Sequence, residues 1–445
     1  MQLDGRFVLT AGERELRLPG RANATPAWLY GDTPFPVLRA RHGQALDLGL
    51  QNNLKEHSSI HWHGLRVPNA MDGVPYLTQM PVLPGRNFSY RFTPPDPGLT
   101  IFHPHCNTIE QFGRGLAGVL IVDGDEDEPF DDDVLCVLKE WRVAEDGSFL
   151  PLTTPQGAGG AGTFGNLRTT NNESVPELIV SSGSDIRLRV VNLDATRIGE
   201  IGIEGAAAHV IAIDGNAVTP FPLETWRLGP AMRLELSLRT PNEGGAVRLL
   251  DFFAQEPVVL ATLTSHGSNR RNDAFAGRGL KPAVLPEPDL SSPRVHALTL
   301  GASAIATQYA KLAPIVLPDG TRIDLLDALC SNGGTFWAID GKTWPRAGHQ
   351  DAPPPFAKFN RGETVVIEFL NTTKQPHPMH LHGHSFKVLS ASRLQRPVHW
   401  ADTVLVMPDE RVRIAFVADN PGNWMMHCHV IEHQDTGMMA WFEIA

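Results

Sequence analysis

Short apolar runs with alternating polar positions dominate the chain. Stretches such as LDLGLQN, IRLRVVN and VVIEFLN carry apolar residues at close to every second position, which is the period of a strand with one buried face. The 41 glycines and 36 prolines separate these runs at short intervals. The pattern therefore predicts an all-β protein built from many short strands.

The strand pattern occurs three times along the 445 residues. Each copy has an alternating strand, an asparagine, a short turn and a second alternating strand, and the copies align on Asn52, Asn192 and Asn371. Self-similarity at this scale indicates repeated domains, each of ordinary domain size.

Two breaks in the pattern separate the three copies. One is the acidic run DEDEPFDDD, and the other is the proline-rich run KPAVLPEPDLSSP. We predict an acidic linker between the first two domains and the following boundaries: domain one at 1–124, linker at 125–133, domain two at 134–288 and domain three at 289–445.

Composition excludes several classes of protein. The net charge of −11 argues against nucleic acid as a partner, and no apolar run is long enough to span a membrane. The N-terminus has no basic segment followed by an apolar core, so the protein is cytoplasmic or a signal peptide has been removed. Cysteines at 106, 136, 330 and 428 are too few for a disulfide scaffold, and the pairing of the first three stays open.

Histidine pairs interrupt the strands of the first and third copies but not those of the middle copy. In a strand the two histidines of a His-x-His pair point to the same face. The middle copy has Ile198, Ile201 and Ile203 at the aligned positions, which indicates that it kept the fold and lost the site. Four pairs are too many for one tetrahedral zinc ion and suit a cluster of several ions. The pairs are His61 with His63, His103 with His105, His380 with His382, and His427 with His429.

A second set of possible ligands remains beside these pairs: His377, Cys428, His433 and Met438. Two imidazoles, one thiolate and a weak thioether form the ligand set of a blue-copper electron-transfer centre. Because Cys428 stands between His427 and His429, an electron has a short covalent route from that copper to the cluster.

At this point the motifs resemble those of the three-domain multicopper oxidases, the laccase-like family of bacteria. The matching stretches are HWHG at 61–64, HPH at 103–105, HPMHLHG at 377–383 and HCHVIEH at 427–433, followed by Met438. The resemblance covers the whole chain in order, and it implies three Greek-key cupredoxin-like domains of the β-barrel or sandwich type. It also implies that the cluster lies between the first and third domains.

The resemblance further implies four copper ions for each chain. One type 1 copper would be held by His377, Cys428, His433 and Met438. The type 2 copper would be held by His61 and His380. Two type 3 coppers would be held by His63, His103 and His429, and by His105, His382 and His427.

The family reaction takes single electrons from a small reducing substrate and reduces O2 to two waters, so protons are needed as well. Asp72 matches the acidic residue of the family beside the type 2 copper and is expected to relay protons; the alternative is a turn carboxylate before Gly73. Many bacterial members have a Glu where this chain has Gln434. The neighbouring Asp435 is either a substitute for it or a residue that caps a turn.

The leading prediction for function is a laccase-like phenol oxidase, with easily oxidised phenols as donors because Met438 is expected to give a low-to-moderate potential. The rival is a metal oxidase acting on Cu(I) or Mn(II). The lack of Met from Gly301 to Gly348 argues against a dedicated Cu(I) site. A copper-binding or electron-transfer protein is the alternative that is not an enzyme. The family habit implies a periplasmic or secreted monomer.

Overall fold

The computed structural model describes residues 6–124, 129–271, 273–303, 315–316, 322–323, 335–345 and 348–445. Strands account for most of the regular structure, and the prediction of an all-β fold is confirmed. The helices within the described residues are short, at α1 (Thr108–Gly113), α2 (Pro155–Ala158) and α3 (Ile431–Asp435), with 3-10 turns at Asn69–Met71 and Gly348–Asp351.

The strands follow one another in three groups. The first group is β1 Arg6–Leu16, β2 Thr25–Tyr30, β3 Val37–Arg41, β4 Leu46–Asn52, β5 His61–His63, β6 Asn87–Phe92, β7 Gly98–His103 and β8 Gly118–Asp123. The second is β9 Asp132–Trp141, β10 Leu167–Thr170, β11 Glu177–Ser181, β12 Asp185–Asn192, β13 Gly199–Glu204, β14 Ala208–Ile213, β15 Asn216–Pro222, β16 Trp226–Leu228, β17 Arg233–Arg239, β18 Ala246–Asp251 and β19 Val258–His266. The third is β20 Arg294–Ala302, β21 Ile315–Val316, β22 Arg322–Ile323, β23 Trp337–Ile339, β24 Ala357–Phe359, β25 Thr364–Asn371, β26 His377–Leu381, β27 Phe386–Ala391, β28 His399–Ala401, β29 Thr403–Val406, β30 Arg411–Val417, β31 Gly422–Cys428 and β32 Met439–Ile444.

Each group folds into the same two sheets. One sheet has the order β2-β1-β4-β6 in the first group, and the orders β10-β9-β12-β17 and β23-β20-β25-β30 begin the matching sheets of the others. The second sheet is β3-β8-β7-β5, matched by β11-β19-β18-β13 and β24-β32-β31-β26. In every copy the equivalent pairs run parallel, for example β1 with β4 and β9 with β12. The repeat read from the sequence is thus a repeat of topology.

The aligned asparagines have one structural role in all three copies. Nδ2 of Asn52 donates to the backbone carbonyls of Glu56 and Val82, at 2.9 and 2.8 Å. Asn192 and Asn371 make the same two kinds of hydrogen bond in their own copies, at distances from 2.7 to 3.1 Å. Each asparagine therefore satisfies backbone carbonyls at the turn that leads into the next strand of its copy.

The strand β9 begins inside the predicted acidic linker, at Asp132. Asp133 accepts a hydrogen bond from Arg189 Nε at 2.6 Å, and this ion pair ties the end of the linker to β12. Residues 125–128 of the linker lie outside the described residues.

Apolar side chains fill the space between the two sheets of each copy, and one apolar cluster crosses between copies. It joins Leu99 of β7 to Val191 and Leu193 of the middle copy and to Ile431 of α3, all fully or almost fully buried. Burial of this kind stabilises by about 1.5–3 kcal/mol for each large aliphatic side chain. The copies are therefore packed as one body around the end of β7.

Two further findings concern cysteine and membranes. Cys106 and Cys136 are free, buried thiols, so they are not paired with each other; Cys330 lies outside the described residues. Within the described part of the chain, no helix has the length and apolar character that crossing a membrane requires.

Candidate metal centres

Two pairs of antiparallel strands carry the histidines. In the first copy His61 of β5 lies opposite His103 of β7, and in the third copy His380 of β26 lies opposite His427 of β31. The middle copy pairs β13 with β18 in the same way, and there Ile201 takes the place of the histidine. The repeat thus brings a histidine to equivalent points of the outer copies only.

The predicted strand period holds within β5 but not at the other pairs. β7 ends at His103 and β31 ends at Cys428, so His105 and His429 lie just beyond their strands. Their rings nevertheless stay close to those of their partners, with centroids 6.3 and 5.5 Å apart. In both copies the strand ends between the two histidines of the pair, and the second histidine still reaches the same space.

The histidines of the first and third copies meet between the two copies. Three pairs of Nε2 atoms join them: His61 with His380 at 3.3 Å, His103 with His429 at 3.2 Å, and His105 with His427 at 3.4 Å. All eight side chains are buried. Such close approach of several buried imidazole nitrogens is typical of ligands that share metal ions.

The ring nitrogens form three compact groups whose atoms lie within 4.8 Å of one another. The groups are His61 with His63 and His380, His63 with His103 and His429, and His105 with His382 and His427. The structure therefore brings together all eight histidines that the sequence predicted.

Hydrogen bonds orient most of these rings. Nδ1 donates to a protein oxygen at 2.8–3.1 Å in five of them, namely His61, His103, His380, His382 and His427. A hydrogen bond at Nδ1 fixes the proton there and leaves the lone pair of Nε2 for a metal ion. These hydrogen bonds therefore orient the Nε2 atoms for metal binding before any ion binds.

Burial also sets the protonation of the rings. It lowers the pKa of His63, His380 and His382 well below the ordinary histidine value, and the neighbouring imidazoles lower the pKa further. The same holds for His103 and His429. These rings are neutral near pH 7, which is the form that binds metal.

His63 differs from the other rings in its orientation. Its Nε2 donates to Asp402 Oδ1 at 2.9 Å and lies 3.1 Å from Thr403 Oγ1. Its Nδ1 is buried and has no hydrogen-bond partner. Sequence reasoning missed Asp402; the only signal was an Asp-Thr pair directly before the apolar run VLV of β29.

Asp72 lies against the histidine cluster. Its Oδ2 accepts from His382 Nδ1 at 2.9 Å, and its backbone carbonyl accepts from His61 Nδ1 at 2.9 Å. The carboxylate is fully buried. It therefore orients two rings of the cluster at once.

A second group of possible ligands lies on the other side of β31. Cys428 Sγ is 3.5 Å from His377 Nδ1 and 3.7 Å from His433 Nδ1, and the two nitrogens are 3.1 Å apart. Burial raises the pKa of the Cys428 thiol and lowers the pKa of His433 to about 4. A buried thiol between two neutral imidazoles is a donor set that a soft or borderline metal ion stabilises as the thiolate.

The outer nitrogens of this centre are also held. His377 Nε2 donates to Thr373 Oγ1 at 2.8 Å, and His433 Nε2 donates to the backbone carbonyl of Gly160 at 2.8 Å. Gly160 belongs to the middle copy, so its loop covers His433, which is buried. Met438 is buried beside the group, and its backbone bonds to Cys428 and His433 at 3.1 and 2.9 Å.

The short helix α3 joins both centres to the other copies. Asp435 accepts from the backbone N–H of Ile109 in α1 and from Gln434 Nε2, each at 3.2 Å, and burial raises the pKa of Asp435 to about 7. Glu432, to which the sequence analysis gave no role, accepts from Thr153 Oγ1 at 2.6 Å and from Thr163 Oγ1 at 2.8 Å. Glu432 thus fastens the loop that carries Gly160.

The residues present fit copper. One group offers sulfur and two imidazole nitrogens, and the other offers only imidazole nitrogens apart from the nearby Asp72 carboxylate. Thiolate and imidazole together select copper over the hard cations, which prefer oxygen. The unpartnered Nδ1 of His63 is a buried polar atom that a metal ion would satisfy.

Comparison with known proteins agrees with this chemistry. Three family models described as "Multicopper oxidase" match residues 13–127, 143–246 and 329–445. The crystal structure of a multi-copper oxidase from Pseudomonas thermotolerans is similar, with a TM-score of 0.86, 35% identity and coverage of 99% of both chains. That from Pseudomonas parafulva has a TM-score of 0.82 and 37% identity, over 98% of this chain and 99% of its own.

Curated sequences are similar over most of the chain as well. Multicopper oxidase MmcO of Mycobacterium tuberculosis is 29% identical, over 92% of this chain and 81% of its own length. More distant relatives have names that point to different donors, including laccase, iron transport multicopper oxidase and copper resistance protein.

Proposed function

The chain belongs to the multicopper oxidase family, and on this premise we propose that it is a laccase-like phenol oxidase. The family binds copper and couples the oxidation of a reducing substrate to the reduction of O2. In this chain the donor would be oxidised at the Cys428 centre, and O2 would be reduced to water at the histidine cluster.

The position of Cys428 between His427 and His429 carries the proposal. Its side chain lies with His377 and His433, while its two neighbours belong to different groups of the cluster. An electron that arrives at the sulfur would therefore reach either group through a few covalent bonds of one short backbone segment. An electron-transfer protein with a single centre would have no use for the eight buried histidines.

We propose four copper ions for each chain, held as follows. His377, Cys428, His433 and Met438 hold the first, and His61 with His380 hold the second. His63, His103 and His429 hold the third, and His105, His382 and His427 hold the fourth. Copper in these places supplies one-electron redox chemistry at the thiolate centre and binding and reduction of O2 at the cluster.

The loop that covers His433 determines where we expect a phenol to dock. Because its Nε2 is bonded to the Gly160 carbonyl, a phenol would dock on the outside of the loop at 151–165 rather than on the imidazole. The electron would then enter through the Gly160–His433 hydrogen bond. The loop is held at a second point, where Trp337 Nε1 donates to the Ala158 carbonyl at 2.7 Å.

Metal ions are the second candidate donors, because relatives with similar chains are named for iron transport and copper resistance. Against a dedicated Cu(I) site stands the lack of Met between 301 and 348. We therefore rank phenols above Cu(I) and Mn(II).

Protons for water formation need carboxyl groups near the cluster. Asp72 has one oxygen, Oδ1, that accepts no hydrogen bond and lies 3.2 Å from His61 Nδ1 of the cluster. Asp435 has a pKa raised to about 7 by burial, so it holds a proton during part of its time at neutral pH. It also caps the first turn of α1 through Ile109, so the two roles that the sequence left open for Asp435 are compatible.

Oxygen uptake by the copper-loaded protein tests the proposed function. We expect rapid uptake with an easily oxidised phenol, four phenols oxidised for each O2 consumed and little uptake with Cu(I). The same protein loaded with zinc is the control and should consume no O2. Fast oxygen uptake with Cu(I) and none with phenols would show that the protein is a metal oxidase and not a phenol oxidase.

Location and assembly remain proposals from family habit. We propose a monomer that works in the periplasm or outside the cell. Light scattering of the purified protein and fractionation of cells that express the full-length gene check the two points separately.

A further inference from the structure

Arg233 is a fully buried cation of the middle copy that reaches the edge of the cluster. It opens β17, and its guanidinium bonds to all three copies. Nε donates to the Leu99 carbonyl of the first copy at 3.1 Å, and Nη1 donates to the carbonyl of Ala231 at 3.0 Å. The guanidinium also pairs with Asp402 of the third copy and lies, through Nη1, 3.4 Å from Asp214 Oδ1 of the middle copy.

The contact between Arg233 and Asp402 is bidentate. Nη1 donates to Oδ1 at 3.0 Å, and Nη2 donates to Oδ2 at 2.6 Å. A planar guanidinium that meets both oxygens of a carboxylate fixes its position and its plane, which a point charge does not do. Asp402 is itself buried, so its oxygens are shielded from bulk solvent.

Asp402 in turn decides which nitrogen His63 offers. Its Oδ1 accepts from His63 Nε2, whereas five other rings of the cluster have Nδ1 bound to the protein. His63 is left with a buried Nδ1 that has no protein partner. The orientation of this ring therefore depends on the carboxylate that Arg233 holds.

The motif glycine after His63 protects the same contact. Gly64 has a φ of +83°, and a Cβ there would lie 2.5 Å from both Arg233 Nη2 and Asp402 Oδ2. Any side chain at this position would push the ion pair apart. The glycine of the HWHG stretch is thus explained by a contact between two residues that lie far from it along the chain.

We propose that Arg233 is a positioning residue for the cluster: it fixes the Asp402 carboxylate, which holds His63 by Nε2 and leaves Nδ1 as the nitrogen for copper. The inference rests on the proposed function, since it assumes copper at the histidine cluster. It gives the middle copy, which carries none of the cluster histidines, a direct part in building the cluster.

Retention of copper tests the inference in two variants. Arg233→Met removes both hydrogen bonds to Asp402. Arg233→Lys keeps the positive charge but loses the planar contact with both carboxylate oxygens. We expect both variants to keep the blue absorption of the Cys428 centre, which reports folding of the third copy. We also expect them to lose copper from the cluster to a chelator about 10–100-fold more readily than the parent protein.

Arg189→Met is the matched control. Arg189 is a buried arginine of the same sheet and pairs with Asp133 and Glu235, away from the cluster. It should lower thermal stability without changing copper retention. In the Asp402→Asn background, Arg233→Met should cause little further loss of copper, because both act through one contact.

Two results would overturn the inference. One is retention of cluster copper by Arg233→Met equal to that of Arg189→Met. The other is recovery of both Arg233 variants only as unfolded protein while Arg189→Met folds, which would make Arg233 a residue of the domain interface and nothing more. If the parent protein itself binds no copper at the cluster, the proposed function fails instead.

Discussion

At the residue scale, the contacts of Asp72 distinguish between its two possible roles, a residue of the cluster and a carboxylate that caps a turn. A carboxylate that only caps a turn is satisfied by backbone N–H groups of that turn. Asp72 instead bonds to His382 through Oδ2, and its Oδ1 lies 3.2 Å from His61 Nδ1 without accepting a hydrogen bond. This arrangement favours a role at the cluster over a role in the turn.

Asp72→Asn tests that role. The amide keeps an oxygen for His382 but cannot take up a proton. We expect turnover with O2 to fall by about 10²–10⁴-fold, the usual contribution of a positioned proton donor, while anaerobic reduction of the blue centre by a phenol keeps its rate. Stopped-flow absorption and oxygen uptake on one copper-loaded sample give the two numbers. Undiminished oxygen uptake would show that Asp72 serves only the turn before Gly73.

Residues with a motif were predictable, and residues without one were not. The spacing of His61, His380 and Cys428 predicted that they belong to metal centres, and the structure places each of them in a group of side chains that could hold a metal ion. Arg233 and Asp402 bear on the same site, yet they lie 169 positions apart and have no local pattern. Only the packing of three copies brings them together, so a single sequence contains no short-range signal for the pair.

At the element scale, one turn places Asp72 against β5. Gly73 has a φ of +86°, and a Cβ on it would lie 1.8 Å from the carbonyl oxygen of Ile60, directly before the strand. The turn therefore needs glycine for its backbone conformation and for space. The sequence predicted strands from their period, but it did not show that β7 and β31 end between paired histidines, because loop geometry beyond a strand leaves no period.

Gly73→Ala should push this turn away from β5. Gly85 is a matched position, with a φ of +73° and no atom within 4 Å of the place that a Cβ would take. Gly85→Ala should cost about 1–2 kcal/mol of unfolding free energy from the left-handed backbone alone, whereas Gly73→Ala should cost more and also lower the copper content of the cluster. Thermal unfolding and metal analysis of both variants make the comparison. Equal losses and full copper in both would show that the turn does not position the cluster.

At the scale of the whole molecule, the middle copy serves both centres without a histidine of its own in either. Its loop bonds to His433 and Glu432, and its Arg233 bonds to Asp402. The isoleucines at the aligned positions showed correctly that this copy lacks the cluster histidines. They could not show these contacts, which come from loops and strand ends where the three copies meet.

The charge at this junction predicts a pH effect on stability. Asp214 and Asp402 share the cation Arg233, and burial, followed by the charge of Asp402, raises the pKa of Asp214 to about 7. The folded protein then holds a proton that the unfolded chain has lost. Asp214 therefore contributes stability below the ordinary carboxyl pKa, and this contribution is lost as pH rises toward about 7.

Asp214→Asn should remove that part of the pH dependence. The amide resembles the protonated carboxyl, so we expect the variant to lose less stability than the parent protein between pH 4 and pH 7, about the interval between the ordinary and raised pKa values. Denaturant unfolding at several pH values measures it, with Asp133→Asn as a control at a carboxylate whose pKa is lowered by its arginine contacts despite partial burial. Parallel curves for the parent protein and Asp214→Asn would contradict the assignment.

The link between the two centres is tested most directly by Cys428→Ser. Serine keeps the size of the side chain but offers no thiolate, so the donor centre alone should be lost. We predict one copper ion fewer for each chain, no blue absorption and phenol-driven oxygen uptake at background, with copper retained at the histidine cluster. Oxygen uptake at the rate of the parent protein, in a variant confirmed to lack the blue centre, would contradict the account.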